Sequence, residues 1–223
     1  LIMSFGLIFD LDGTLMDTIP VIERSQTEVL QRYGVVLPPG YSNCFAGLPL
    51  RDIVALINKD FGKSLDWQEM GGQMSEIESR VLENGPSIVF DGLVDLLKDA
   101  RRRRAGLAVG TSSEIDRAHG LLYVSGLYGF FDDVVGIEAV KQGKPAPDIF
   151  LECARKLGYL PKRCVVIGDA RNDMLAARAC GMKFVGFAPR DGKDRFSDAD
   201  LVISSYRGIS CRSLEHLIYR AEK

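Results

Sequence analysis

Six short runs of this chain are apolar at every position: residues 6–9, 107–110, 134–136, 164–167, 184–187 and 201–203. A strand with one face in water alternates apolar and polar residues, so a run without a polar position has both faces covered. Between the runs lie stretches with helical spacing, at 92–104, 115–124, 147–157, 172–180 and 213–221. Gly158 and Gly181 stand where two of these helices would end, in the place a left-handed residue takes. Strand and helix taking turns predict an α/β fold, a doubly wound parallel sheet with helices on both faces. In such sheets ligands collect at the carboxyl ends of the strands.

One segment interrupts the alternation. Residues 19–88 contain no strand run and read as helices at 20–33, 50–61 and 66–84, punctuated by Pro38-Pro39-Gly40 and Gly71-Gly72. A helical block inserted after the first strand predicts a second unit. The expected division is 1–18 with 89–223 as the α/β core, and 19–88 as a helical cap.

The 223 residues are enough for a core with an insertion, and 46% hydrophobic with 26% charged residues is ordinary for a soluble globular protein. A net charge of −2 gives no footprint for nucleic acid. No run approaches the roughly 18 apolar residues of a membrane span. The first five residues have neither a basic region nor a long apolar stretch, so no secretory signal is expected and the cytoplasm is the expected compartment. Cys44, Cys153, Cys164, Cys180 and Cys211 are odd in number, scattered and without a CxxC, which predicts reduced, mostly buried thiols.

The chemistry concentrates at the ends of the strand runs. Asp10-Leu11-Asp12-Gly13-Thr14 follows the first run directly. Strand alternation predicts that Asp10 and Asp12 leave on the same side. Two crowded carboxylates repel, and a divalent cation with a bound phosphoryl group would compensate them. Thr111-Ser112-Ser113 follows the second run, Lys144 lies in Gly143-Lys144-Pro145-Ala146-Pro147-Asp148 before a helix, and Gly168-Asp169-Ala170-Arg171-Asn172-Asp173 follows the fourth run. Singly, each has an ordinary explanation. Thr111 and Ser112 could cap a helix, Lys144 could be a solvated loop lysine, and Asp169 and Asp173 could be first-turn acids. Their ordered conjunction at strand ends is what points to a site.

These four segments resemble the motifs of the haloacid dehalogenase-like superfamily, in the subgroup with a helical cap after the first strand, near the phosphoglycolate phosphatases and β-phosphoglucomutases. DxDG(T/V) is matched at 10–14, the strand-end Thr or Ser at Thr111, GKPxPD at 143–148 and GDxxxD at 168–173. The resemblance covers nearly the whole chain. It implies Mg²⁺ held by Asp10, the backbone carbonyl of Asp12, Asp169 and, as a further ligand, Asp173. It implies Asp10 as the nucleophile that forms an aspartyl-phosphate and Asp12 as general acid and base. Lys144, Thr111 and Ser112 would bind the phosphoryl oxygens. Such acid–base help is typically worth about 10²–10⁴-fold. The stretch 45–51 resembles the substrate loop of the family's cap, which makes Arg51 a candidate for a second polar group on the substrate.

The expected activity is a Mg²⁺-dependent phosphatase of small phosphorylated metabolites, of sugar phosphate or phosphoglycolate type. The expected assembly is a monomer or a weak homodimer, with no nucleic-acid or membrane partner. A phosphomutase of the β-phosphoglucomutase type is the alternative. Thr14 weighs against it, because mutases of the family usually carry Val there. A non-catalytic binding protein is the remaining one. Asp12 disfavours a dehalogenase, and neither Lys59 nor Lys63 has the context of a phosphonate hydrolase's Schiff-base lysine. The run Arg101–Arg104 reads as a solvated helix end.

Overall fold

The computed structural model describes residues 5–45, 48–84, 88–190 and 196–219. All six expected strands form: β1 (Gly6–Phe9), β2 (Gly106–Gly110), β3 (Asp133–Val135), β4 (Cys164–Gly168), β5 (Lys183–Phe187) and β6 (Leu201–Ile203). They make one sheet in the order β3-β2-β1-β4-β5-β6, and every pairing is parallel. The chain winds outward from β1 through β2 to β3, then returns to β4 on the other side of β1. That reversal places the crevice for a ligand beside the carboxyl ends of β1 and β4.

Side-chain alternation sorts the strands' residues between two layers. Leu7, Phe9, Leu107, Val109, Val165, Ile167, Val185 and Phe187 pack on one side with residues of α4 (Leu93–Arg102), α5 (Ile115–Val124) and α8 (Cys211–Tyr219). Ile8, Ala108, Cys164, Val166 and Phe184 pack on the other with α6 (Asp148–Leu157) and α7 (Arg171–Ala179). Each large apolar side chain buried this way contributes about 1.5–3 kcal/mol.

Some boundaries differ from expectation, for local reasons. α4 stops at Arg102, and Arg104 turns left-handed at φ 57°. The basic run is a helix end whose Arg101 pairs with Asp132 at 2.6 Å, while Arg102 and Arg103 lie beside Asp99. α8 begins at Cys211 rather than Ser213, because Ser210 provides the cap: the Ser213 N–H donates to Ser210 Oγ at 3.1 Å and the Ser210 N–H to Ser213 Oγ at 3.3 Å.

The inserted segment supplies α1 (Ile19–Arg32), α2 (Leu50–Phe61) and α3 (Trp67–Asn84). They enclose an apolar cluster of their own, with Val29, Leu30, Ile57, Met70, Met74 and Ile77 at its centre. The outgoing and returning connections are clamped together. Met16 bridges Val89, the Asp17 N–H donates to Ile88 O at 2.7 Å, and the Phe90 N–H to Leu15 O at 3.3 Å.

All five cysteines are free. Cys44 is exposed, Cys180 is partly covered and the other three are buried. Burial pushes the thiols of Cys164, Cys180 and Cys211 up to about 12. No helix among the described residues is long and apolar enough to cross a membrane.

Candidate active site

Asp10 is the first residue past β1. Its N–H donates to Ile167 O at 2.9 Å, which fixes it between β1 and β4. It follows the parity of Ile8, whose side of the sheet carries α6 and α7. From that side come its partners. Lys144, in the loop before α6, places Nζ 2.6 Å from Asp10 Oδ1 and 2.7 Å from Asp173 Oδ1. All three are buried, with exposures of 8% for Asp10, 2% for Lys144 and 1% for Asp173. The ammonium also sits 4.7 Å from the centre of the Phe150 ring.

Asp173 lies in the first turn of α7 and accepts the Ala170 N–H at 3.0 Å on Oδ2. It therefore caps its helix, as its position suggests, and also faces the lysine. Asp169, partly buried, accepts the Thr14 hydroxyl at 3.2 Å, and that same hydroxyl lies 3.5 Å from Asp10 Oδ2. Thr14 is held in turn through its carbonyl, which accepts the buried Tyr206 hydroxyl at 2.9 Å.

Asp10, Asp169 and Asp173 each offer an oxygen, and these oxygens lie within 4.8 Å of one another. Three carboxylates face one ammonium, so the cluster carries surplus negative charge away from bulk water. Burial raises the Asp10 carboxyl well above its ordinary value; Lys144 pulls it down, and Asp173 and Asp169 push it further up. Burial pulls the Lys144 ammonium down, but Asp10 and Asp173 more than offset this and keep it protonated. A buried, all-oxygen donor set short of positive charge fits a hard divalent cation.

Gly13 allows this packing. Its φ is +76°, and a Cβ there would lie 2.5 Å from Asp169 Oδ2. Gly13→Ala is expected to cost about 1–2 kcal/mol for the left-handed backbone alone. By displacing Asp169 it is also expected to weaken divalent-cation affinity about tenfold or more. Thermal denaturation and titration calorimetry check the two effects separately.

Asp12 is not among the three carboxylates whose oxygens meet. β1 ends at Phe9 and the chain turns at 13–15, with the Gly13 N–H donating to Met16 O at 2.8 Å. The Asp12 carboxylate instead accepts from Thr18 Oγ1 at 2.7 Å and Ser113 Oγ at 2.9 Å. Arg117 adds a fork, with Nη1 at 2.8 and 3.1 Å and Nη2 at 3.1 Å. Burial raises this carboxyl, but the Arg117 charge and hydrogen bonds, with Thr18 and Ser113, outweigh it and hold it below the ordinary range.

Thr111 is buried at the end of β2, and its Oγ1 accepts the Ser113 N–H at 3.0 Å. The residue at the start of α5 is Glu114, so neither Thr111 nor Ser112 caps that helix. Ser112 lies between them, partly covered. Arg51 stands exposed in the first turn of α2 and donates to Asp52 at 3.2 Å. No hydrogen bond or ion pair among the described residues ties it to the carboxylate cluster.

Two residues of the site were not singled out in the sequence. Arg117 of α5 holds Asp12 and also donates from Nε to Glu78 Oε2 at 2.9 Å. Glu78 belongs to α3, is buried, and accepts the Ser25 hydroxyl of α1 at 3.1 Å. Signals for both exist. Arg117 is four residues after Ser113, in the first turn of the helix that follows it. Glu78 is a carboxylate on the apolar stripe of Met70, Met74 and Ile77.

Comparison with known proteins gives concordant matches. The family model of the haloacid dehalogenase-like hydrolases matches residues 7–187. The chain is 39% identical over 181 residues to fructose-1-phosphate phosphatase YqaB of Escherichia coli, covering 81% of this chain and 94% of that protein. It is 31% identical over 207 residues to hexitol phosphatase A of the same organism, covering 92% and 93%. Among solved structures, β-phosphoglucomutase from Clostridium difficile superposes with a TM-score of 0.87 at 21% identity over 99% of both chains, a likeness of fold.

Proposed function

The chain belongs to the haloacid dehalogenase-like hydrolases and is a phosphoric monoester hydrolase, and from that premise we propose a Mg²⁺-dependent phosphatase of small sugar or polyol phosphates that works through an aspartyl-phosphate on Asp10. The observation that supports this most is the meeting of Asp10, Lys144, Asp169 and Asp173 at the carboxyl ends of β1 and β4. The substrate class follows the relatives, which are named as phosphatases of fructose 1-phosphate and hexitol phosphates.

Asp10, Asp169 and the backbone carbonyl of Asp12 would hold Mg²⁺, with Asp173 at the edge of the set. When bound, the cation supplies the positive charge that lets an anionic nucleophile approach a phosphate dianion. Lys144 adds a second positive charge from within the site and, with Thr111 and Ser112, binds phosphoryl oxygens. A carboxylate oxygen of Asp10 attacks phosphorus, and the bond from phosphorus to the ester oxygen breaks. Asp12, which its Thr18, Ser113 and Arg117 donors hold ionised at rest, must first take up a proton from solvent, and it gives that proton to the departing alkoxide. It then takes one from the water that attacks the aspartyl-phosphate, which releases phosphate and restores the Asp10 carboxylate.

The cap closes over this centre and supplies substrate discrimination, with Arg51 as one candidate contact. Thr14, whose hydroxyl is engaged by Asp169, favours hydrolysis over the mutase alternative. A panel of phosphorylated sugars, polyols and glycolate, read by phosphate release, tests the assignment. Turnover is expected to be greatest on sugar or polyol esters, to stop with EDTA and to return with Mg²⁺. Activity that survives exhaustive chelation would contradict the cation's role.

A further inference from the structure

The sheet has a second edge, at the amino ends of its strands, and positive charge gathers there in one place. A recess of about 420 Å³ is lined by Lys162, Arg163, Arg178, Lys183 and Asp200, together with Met182 and Ile218. Arg163 directly precedes β4, Lys183 begins β5 and Asp200 directly precedes β6. Asp169 lies past the other end of β4. The length of that strand, about 16 Å, therefore separates the recess from the carboxylate cluster.

Two of the four cations have an ordinary structural explanation. Lys183 pairs with Asp200 at 2.8 Å. Arg178 stands in the last turn of α7, where a helix favours a cation, and donates to the Asp198 carbonyl at 2.6 Å. Lys162 and Arg163 are different. They belong to a short turn, Pro161–Arg163, rather than to a long helix end. The acids of this edge, Asp198 and Asp200, are taken by Arg178 and Lys183, and among the described residues no carboxylate pairs with Lys162 or Arg163. An aromatic residue holds Arg163 instead. Its Nη1 donates to the Tyr219 hydroxyl at 3.2 Å, and the guanidinium lies 5.7 Å from the ring centre. This orients the fork without neutralising it, so an anion that binds there orders little that is not already ordered. Met182 and Ile218, exposed by only 4% and 5%, give the recess an apolar floor.

We propose that this recess binds a small organic polyanion, one that carries at least two phosphoryl or carboxylate groups on a compact body. The lining sets four positive side chains against one negative, a surplus that a dianion or trianion offsets. Its volume falls within the range of small-ligand sites, about 300–1,000 Å³. The Arg163 fork suits bidentate contact with a phosphoryl or carboxylate group, and Lys162 adds a point charge. The apolar floor meets the body of the ligand. The lining offers a single carboxylate and no thiol or hydroxyl side chain, so the occupant is bound and not converted.

Titration calorimetry of the metal-free full chain with inorganic pyrophosphate tests this. Without a cation the three carboxylates of the catalytic cluster repel the probe, so the outcome is independent of the phosphatase reading. Saturable binding to one site with a Kd of about 1 mM or tighter is expected. Lys162→Gln and Arg163→Gln should each weaken it about tenfold. Asp200 accepts the Phe184 N–H at 2.9 Å. Asp200→Asn keeps an oxygen for that bond and frees Lys183, so it should tighten binding about threefold. Arg155→Gln removes a cation that lies in the last turn of α6, outside the recess, and should change affinity by less than about twofold. Absence of saturable binding overturns the site. So does binding that Lys162→Gln and Arg163→Gln leave unchanged, or that Arg155→Gln weakens as much as they do. If Arg163→Gln does not fold for want of its Tyr219 contact, the exposed Lys162 decides by the same comparison, with Asp200→Asn as its opposite in sign.

Discussion

Asp10→Asn is expected to end turnover while the fold stands. The amide has nearly the shape of the carboxylate but is a far poorer nucleophile, so the loss should reach about 10³-fold or more on any ester, including p-nitrophenyl phosphate. The structure also sets the sign of the stability change. Asp10 is one of three carboxylates sharing a buried space with one ammonium. Its carboxyl is raised by burial and, after the partial relief from Lys144, by Asp173 and Asp169. Removing its charge lowers the surplus, and Lys144 keeps Asp173 as a partner. The thermal midpoint of the metal-free variant should therefore equal or exceed that of the wild type. More than a few per cent of wild-type activity, in a variant with that stability, would mean that the nucleophile is another residue.

Lys144→Met gives the opposite result for stability. The replacement fills a similar volume but leaves Asp10 and Asp173 buried without the ammonium at 2.6 and 2.7 Å. Breaking a buried pair by removing one partner costs about 3–5 kcal/mol. For a chain of this size that is a fall in thermal midpoint of roughly 6–20 °C. On the proposed mechanism activity should be lost as well, because Lys144 would be the side-chain cation on the phosphoryl group.

The pH dependence of the deficit has a definite sign. A carboxyl whose folded value lies above its unfolded value binds more protons folded than unfolded, so stability falls as pH rises between the two values. Asp10 is of this kind, and more so without Lys144. The gap between wild type and variant is therefore expected to widen as pH rises from the ordinary carboxylate range and to narrow as pH falls toward it. Chemical denaturation at several pH values checks this. A gap that grows at low pH would show that Lys144 contributes through something other than these carboxylates.

The sheet was readable because its strands are buried on both faces, which leaves runs with no polar position. Gly6–Phe9, Leu201–Ile203 and Ile115–Val124 form as read. Helix ends were less readable where a side chain competes for the cap, as at Ser210 and Ser213. In the site, Asp10, Lys144, Asp169 and Asp173 were legible because each stands in one of the four ordered motifs, with Asp10 and Asp169 directly after a strand. The partners of Asp12 were not, since Thr18, Ser113 and Arg117 reach it from separate segments of the chain. Arg117 and Glu78 lie in regular helices far apart in sequence. Their meeting depends on how α3 lies against α5, which no local spacing encodes.

The clamp between residues 15–17 and 88–90 has a mechanical consequence. Two separate tethers would let an inserted unit slide or shear, whereas two tethers pinned side by side leave it a single pivot. Met16 of that pivot is four residues from Asp12 along the chain, and the Asp12 carboxylate bonds Thr18 just beyond it. On the proposed reading, swinging open and presenting the proton would be motions about one short axle, and a substitution that stiffens it should slow both together.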